Sequence, residues 1–146
     1  MEIKRVYIDG IFDLFHKGHL ESFYKTKKIY GDENQDNVKV IVGIVSDQDA
    51  ESYKRLPIIC QEHRKNIIEN LIIVDEIIFP APLIIDKDFI DNNKIDMVVH
   101  GFADDKDYEK QKEFFKVPIE LNKFKRIEYY NKISTSDIIY KIKENY

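Results

Sequence analysis

Two histidines, His16 and His19, stand three residues apart in the run Ile8-Asp9-Gly10-Ile11-Phe12-Asp13-Leu14-Phe15-His16-Lys17-Gly18-His19. An apolar stretch, Arg5–Ile8, leads into it, Asp9-Gly10 breaks it, and the histidines fall where a helix is expected to start. A strand that feeds a helix N-terminus through a glycine-bearing turn makes an anion site. Free backbone N–H groups and the positive end of the helix dipole point at one spot. Two imidazoles there can donate to phosphate oxygens without supplying a nucleophile. Nucleotide phosphate chemistry is the natural use of such a set. A metal pair is the weaker alternative, because helical histidine ligands usually stand four apart. His63 and His100 complete no ligand pattern, so no metal site is expected.

A second stretch has related chemistry. Lys132-Ile133-Ser134-Thr135-Ser136-Asp137 places three hydroxyls before an apolar-periodic segment. Ser or Thr there is a helix N-cap signal, and Asp137 three residues after Ser134 resembles a capping box. A plain cap accounts for this stretch taken alone. Paired with the first, a second hydroxyl-rich N-terminus can grip the other side of a polyphosphate.

These stretches need a frame, and hydrophobic periodicity supplies one. Strands are expected at Arg5–Ile8, Val38–Val45, Val74–Phe79, Ile95–His100 and Phe124–Tyr129. Helices are expected at Gly18–Tyr30, Gln61–Asn70, Asp88–Asn93, Tyr108–Phe115 and Ser134–Asn145. Gly31–Asn37 and Ser46–Leu56 read as polar connections. Alternation of this kind predicts an α/β fold, a Rossmann-like parallel five-stranded sheet with helices on both faces. Residues 1–146 read as a single domain. Ligands bind such sheets at the carboxyl ends of the strands. Asp9-Gly10, Ser46-Asp47, Pro80-Ala81-Pro82 and His100-Gly101 are therefore expected in one cleft.

Composition narrows the partners. Hydrophobic residues make up 43% and charged residues 34%, with net charge −4. That balance fits a solvated charged surface and argues against a nucleic-acid grip. One cysteine, Cys60, excludes a disulfide within the chain and a Cys-rich zinc site. No signal peptide precedes the first strand, and no apolar run nears the roughly 20 residues that span a bilayer. A cytoplasmic protein is expected.

Gly10 to His19, together with Ile133-Ser134-Thr135-Ser136-Asp137-Ile138-Ile139, resembles the two signatures of the cytidylyltransferases that make CDP-choline, CDP-ethanolamine and CDP-glycerol. The resemblance covers nearly the whole chain, with both motifs in the family's order and distance. Val74-Asp75-Glu76-Ile77-Ile78 is similar to the family's third strand. The resemblance implies CMP transfer from CTP to a small phosphomonoester, with phosphoethanolamine or phosphocholine first and glycerol 3-phosphate as the alternative. It implies His16, His19, Lys54 and Arg126 as catalytic residues. The nucleotide falls to Gly10, Ile11, Phe12, Asp13, Arg64, His100, Ser134, Thr135 and Ser136. The acceptor falls to Asp9, Lys54, Asp104, Asp105 and Tyr108. Mg²⁺ would arrive with CTP, and a homodimer is implied.

Two departures stand out. Tyr129-Tyr130-Asn131-Lys132 lengthens the step from Arg126 to Ser134, which puts the role of Arg126 in question. The choline-selective members carry a tryptophan where this chain has Leu83 after Ala81-Pro82, which removes one cation–π wall. An adenylyltransferase of the same superfamily is the nearest rival, and a nucleotide sensor without turnover is another. Class I aminoacyl-tRNA synthetases share similar signatures, but a chain of 146 residues leaves no room for tRNA. The family's membrane-regulated members carry a long amphipathic helix after the catalytic domain. The chain ends at Tyr146, so no membrane-binding tail is expected.

Overall fold

A computed structural model describes residues 1–146. Five strands form one sheet: β1 (Lys4–Gly10), β2 (Val38–Ile44), β3 (Glu76–Ile78), β4 (Met97–His100) and β5 (Phe124–Arg126). Their order is β3-β2-β1-β4-β5 and every pairing is parallel. The chain order reverses its direction of growth between β1 and β4, and the carboxyl ends of those strands flank the switch point where ligands bind in such sheets.

The helices are α1 (Lys17–Lys27), α2 (Asp47–Tyr53), α3 (Gln61–Glu69), α4 (Lys87–Asn92), α5 (Asp105–Gln111), α6 (Lys116–Glu120) and α7 (Thr135–Asn145). They cover both faces, as the alternation predicts. Successive side chains of a strand point to opposite faces, so β1 feeds two cores. Val6 and Ile8 pack with Val40, Val42, Phe23 of α1 and Ile68 of α3. Tyr7 packs on the other face with Ile41, Val98, Ile90 of α4 and Phe115. Gly43 is what admits Tyr7: a Cβ there would collide with the phenol oxygen.

Several expectations need correction. Ser46–Leu56 is not merely a connection, because it contains α2. The Ser46 hydroxyl accepts from Asp49 N at 3.1 Å and caps that helix. Expected strand Val74–Phe79 contracts to three residues, since Asp75 turns its carboxylate onto Val40 N at 2.8 Å. β5 ends at Arg126 rather than Tyr129. The helix expected at Tyr108–Phe115 starts earlier, at Asp105, and tightens to a 3₁₀ turn over Lys112–Phe115. α6 was not foreseen. No helix is long and apolar enough to cross a membrane.

Candidate active site

The β1–α1 loop is shaped by left-handed backbone at Phe12 (φ 55°) and Leu14 (φ 49°). Non-glycine residues adopt that region only when their surroundings hold them there. Asp13 provides the hold. It is buried, and its carboxylate accepts from the amides of Leu14 at 3.0 Å, Ile58 at 2.7 Å and Ile59 at 2.8 Å. These bonds occupy the carboxylate, so Asp13 shapes the turn.

The loop delivers His16 to the N-cap of α1, where two imidazoles form a capping box. His16 Nδ1 accepts from Gly18 N at 3.0 Å, and His19 Nδ1 accepts from His16 N at 3.3 Å. The rings stack with centroids 3.8 Å apart. Using Nδ1 as an acceptor fixes the neutral tautomer, so each Nε2 carries the proton. Burial lowers the His16 pKa, and burial with the neighbouring His16 and Lys54 lowers that of His19 to about 3. Both rings are thus neutral N–H donors at pH 7. His16 Nε2 is buried and has no partner.

The N-terminus of α7 meets this loop directly. Thr135 Oγ1 donates to the carbonyl of Asp13 at 2.9 Å, joining segments 122 residues apart. Ser134 is the N-cap, accepting from Asp137 N at 3.0 Å. The Thr135 hydroxyl proton is therefore committed, whereas the Ser134 hydroxyl keeps its proton for a ligand.

These parts share a cleft of about 810 Å³ at the carboxyl ends of the strands. Asp9, Gly10, Ile11, Phe12, Asp13, His16 and His19 line it from the β1 side. Lys54, His100, Asp104, Ser134, Thr135 and Ser136 complete the set of sequence candidates that line it. Burial raises the Asp9 pKa to about 7 and lowers that of His100 to about 4. Asp9 Oδ1 and His100 Nδ1 approach to 3.8 Å, which would count as an ion pair were both charged. That distance is too long for a hydrogen bond. Burial of both groups favours the neutral forms, so this is a polar contact rather than an ion pair. The surrounding protein and the adjacent Arg55 guanidinium lower the Lys54 pKa.

Four candidates lie off the cleft lining. Arg64 is 1% exposed and fully engaged within the protein. It donates to the carbonyls of Ile59 (2.9 Å), Ile11 (2.6 Å) and Val45 (2.9 Å) and to Asp47 Oδ1 (2.6 Å). It is a strut that pins the β1–α1 loop to the end of β2, not a nucleotide ligand. Arg126 is exposed and lies over the rings of Phe102 (5.1 Å) and Tyr108 (5.8 Å). Tyr108 packs edge-on against Phe102, and Asp105 points to solvent. Asp104 reaches the lining but caps α5 by accepting from Asp107 N at 2.8 Å.

Asp107 and Arg55 are among the cleft residues that the sequence reading did not single out. Asp107, half-buried, accepts from Ala103 N at 2.9 Å and Gln111 Nε2 at 2.7 Å and lines the cleft near His100 and Lys54. Its signal was present: Asp104 as N-cap puts Asp107 at the third helical position. Arg55 lines the cleft beside Lys54 and reaches Ser136. No trio of His, Cys, Asp or Glu side chains is arranged to hold a metal.

A parallel sheet with this cleft at its switch point defines a Rossmann-like α/β protein. A solved lipopolysaccharide core biosynthesis protein from Thermoplasma volcanium has the same fold, with TM-score 0.61 and 24% identity over 88% of this chain and 98% of that one. The chain belongs to the cytidylyltransferase-like family, whose model matches residues 7–141. It is 35% identical over 144 residues to the choline-phosphate cytidylyltransferase of Saccharomyces cerevisiae, covering 97% of this chain and 32% of the relative. Choline-phosphate cytidylyltransferase 2 of Arabidopsis thaliana is 35% identical over 145 residues, covering 97% and 45%. The ethanolamine-phosphate cytidylyltransferase of the same plant is 34% identical over 145 residues, covering 97% and 33%. The chain thus spans about a third to under half the length of these curated relatives.

Proposed function

We propose that the protein transfers CMP from CTP to a small phosphomonoester, giving a CDP-alcohol and pyrophosphate. The observation that carries this reading is the pair of neutral, tautomer-fixed imidazoles opposite the α7 N-terminus in one cleft. Family membership supports it. An acceptor phosphate oxygen attacks the α-phosphorus in line. The bond from that phosphorus to the bridging oxygen breaks, and its electron pair leaves with pyrophosphate. Catalysis of this kind is positioning and charge stabilisation. The Nε2–H groups of His16 and His19 donate to the phosphate oxygens as charge builds. Lys54 supplies a cation between attacking phosphate and triphosphate. The amides near Gly10 to Phe12 and the hydroxyls of Ser134 and Ser136 hold the polyphosphate. With no resident ligand trio, Mg²⁺ would ride on the nucleotide phosphates.

An ammonium-bearing acceptor suits the part of the cleft where Asp107 stands with Tyr53 and Tyr129, a carboxylate beside two aromatic faces. Phosphoethanolamine or phosphocholine is therefore the preferred acceptor. The comparison with choline- and ethanolamine-phosphate relatives supports the same pair. We further propose a homodimer, which sedimentation would register at twice 17.4 kDa.

The test is product analysis with Mg²⁺, CTP or ATP, and a panel of phosphoethanolamine, phosphocholine and glycerol 3-phosphate. CDP-ethanolamine or CDP-choline is expected. A preference for ATP overturns the nucleotide, and turnover of glycerol 3-phosphate alone overturns the acceptor.

A further inference from the structure

We propose that Arg55 is the residue that grips the distal phosphates of the bound triphosphate and neutralises the pyrophosphate as it departs. This rests on the reading above that the cleft holds a nucleoside triphosphate.

Arg55 follows α2 and lines the cleft. Its Nη2 donates to Ser136 Oγ at 2.9 Å, across the cleft mouth and 81 residues away in sequence. A guanidinium has five N–H donors and no acceptor. Ser136 takes one of them, and no other hydrogen bond engages the side chain. The cation is thereby held at the first turn of α7, the positive end of that helix dipole. The amides of Thr135 and Ser136 there have no backbone acceptor. Lys54 is the next residue back, and His16 Nε2 is a buried donor without a partner. The Asp13 carboxylate accepts from three amides and, with Asp107, offsets part of the charge on Lys54. Asp137, exposed in the first turn of α7, is a further nearby acid, and none of these acids hydrogen-bonds the Arg55 guanidinium.

Donors and positive charge gathered in this way face one another at a cost unless an anion enters between them. An anion with several oxygens fits best, since the planar fork of arginine matches phosphate geometry. Arg126, the other arginine considered for the leaving group, is exposed and lies over Phe102 and Tyr108 instead. Bond breaking at the α-phosphorus leaves the electron pair on pyrophosphate, next to the Arg55 guanidinium.

The experiment is calorimetric titration of CTP, CMP and inorganic pyrophosphate into the wild-type chain, R55Q and R55K. R55Q is expected to weaken CTP and pyrophosphate binding by about 10–100-fold, the range of a lost charge-assisted contact. CMP, which lacks the distal phosphates, should change by no more than about twofold. R55K, which keeps the charge and loses the fork, should fall between wild type and R55Q, and it carries the same comparison if R55Q does not fold. Equal losses for CTP and CMP would mark Arg55 as a tie to Ser136 only and overturn the proposal. So would unchanged pyrophosphate binding. If the wild type takes ATP rather than CTP, the cytidylyl reading fails, while ATP, AMP and pyrophosphate still decide the role of Arg55. A wild type that binds neither triphosphate nor pyrophosphate overturns both.

Discussion

His16 does two jobs with two nitrogens. Nδ1 caps α1, and Nε2 is left over, buried and undonated. The jobs separate in His16→Asn. Asparagine is among the best N-caps, so the melting temperature should hold. The variant has no donor where Nε2 stood, and product formation should fall by about 10²–10³, as for one lost preorganised donor. Retained turnover in a folded His16→Asn protein would remove His16 from the chemistry. His16 and His19 were legible in the sequence because their geometry is local, fixed by three residues of helix. Asp107 was not. The resemblance assigned Asp104 and Asp105 to the acceptor and passed over Asp107, and helical phase chooses among the three. That phase depends on Asp104 ending the loop as a cap, a choice made by backbone geometry. Arg55 was invisible for a related reason, since its partner Ser136 is 81 residues away.

At the scale of elements, the loops that hold the site are braced from behind. Arg64 belongs to α3 but serves the β1–α1 loop, through Ile11 O, and the end of β2, through Val45 O. Removing one member of a buried, hydrogen-bonded charge pair costs about 3–5 kcal/mol. Arg64→Ala should therefore lose stability of that order in urea unfolding, before any effect on ligands is considered. The nucleotide contact expected of Arg64 came from the family resemblance alone. Burial depends on carbonyls 53 and 19 residues away, which no local pattern reports. α2 was missed for a different reason. It has seven residues and buries only Ala50, so it carries no helical stripe. The longer elements and the parallel sheet were legible, since Val38–Ile44 is almost wholly apolar and α1, α3 and α7 have caps or periodicity. Thr135→Val tests the tie between α7 and the first loop. It should remove about 1 kcal/mol and speed amide exchange in the first turn of α7.

For the molecule as a whole, acid stability is set by buried groups with opposed signs. The folded pKa of Asp9, about 7, lies above the carboxylate's ordinary 3.8. Between those values the folded chain keeps a proton that the unfolded chain has released, so Asp9 lowers stability as pH rises through that window. His19 and His100, lowered to about 3 and about 4 from 6.5, act in reverse. The unfolded chain binds their protons first, so stability falls as pH drops below about 6.5. Asp9→Asn removes only the first contribution. Its melting temperature should gain on wild type as pH climbs from 4 to 7, and the gap should level off above 7. A gap that stays flat or narrows over that range would show Asp9 ionised in the folded state.

The bond from Thr135 to the Asp13 carbonyl has a consequence in time as well as space. One wall of the cleft is made by residues 9–19 and the facing wall by residues more than a hundred positions further along the chain. A nascent chain can complete most of its sheet and still own half a pocket. A complete cleft therefore waits until residue 135 has emerged, and a ribosome stalled before it would display a chain that still lacks one wall.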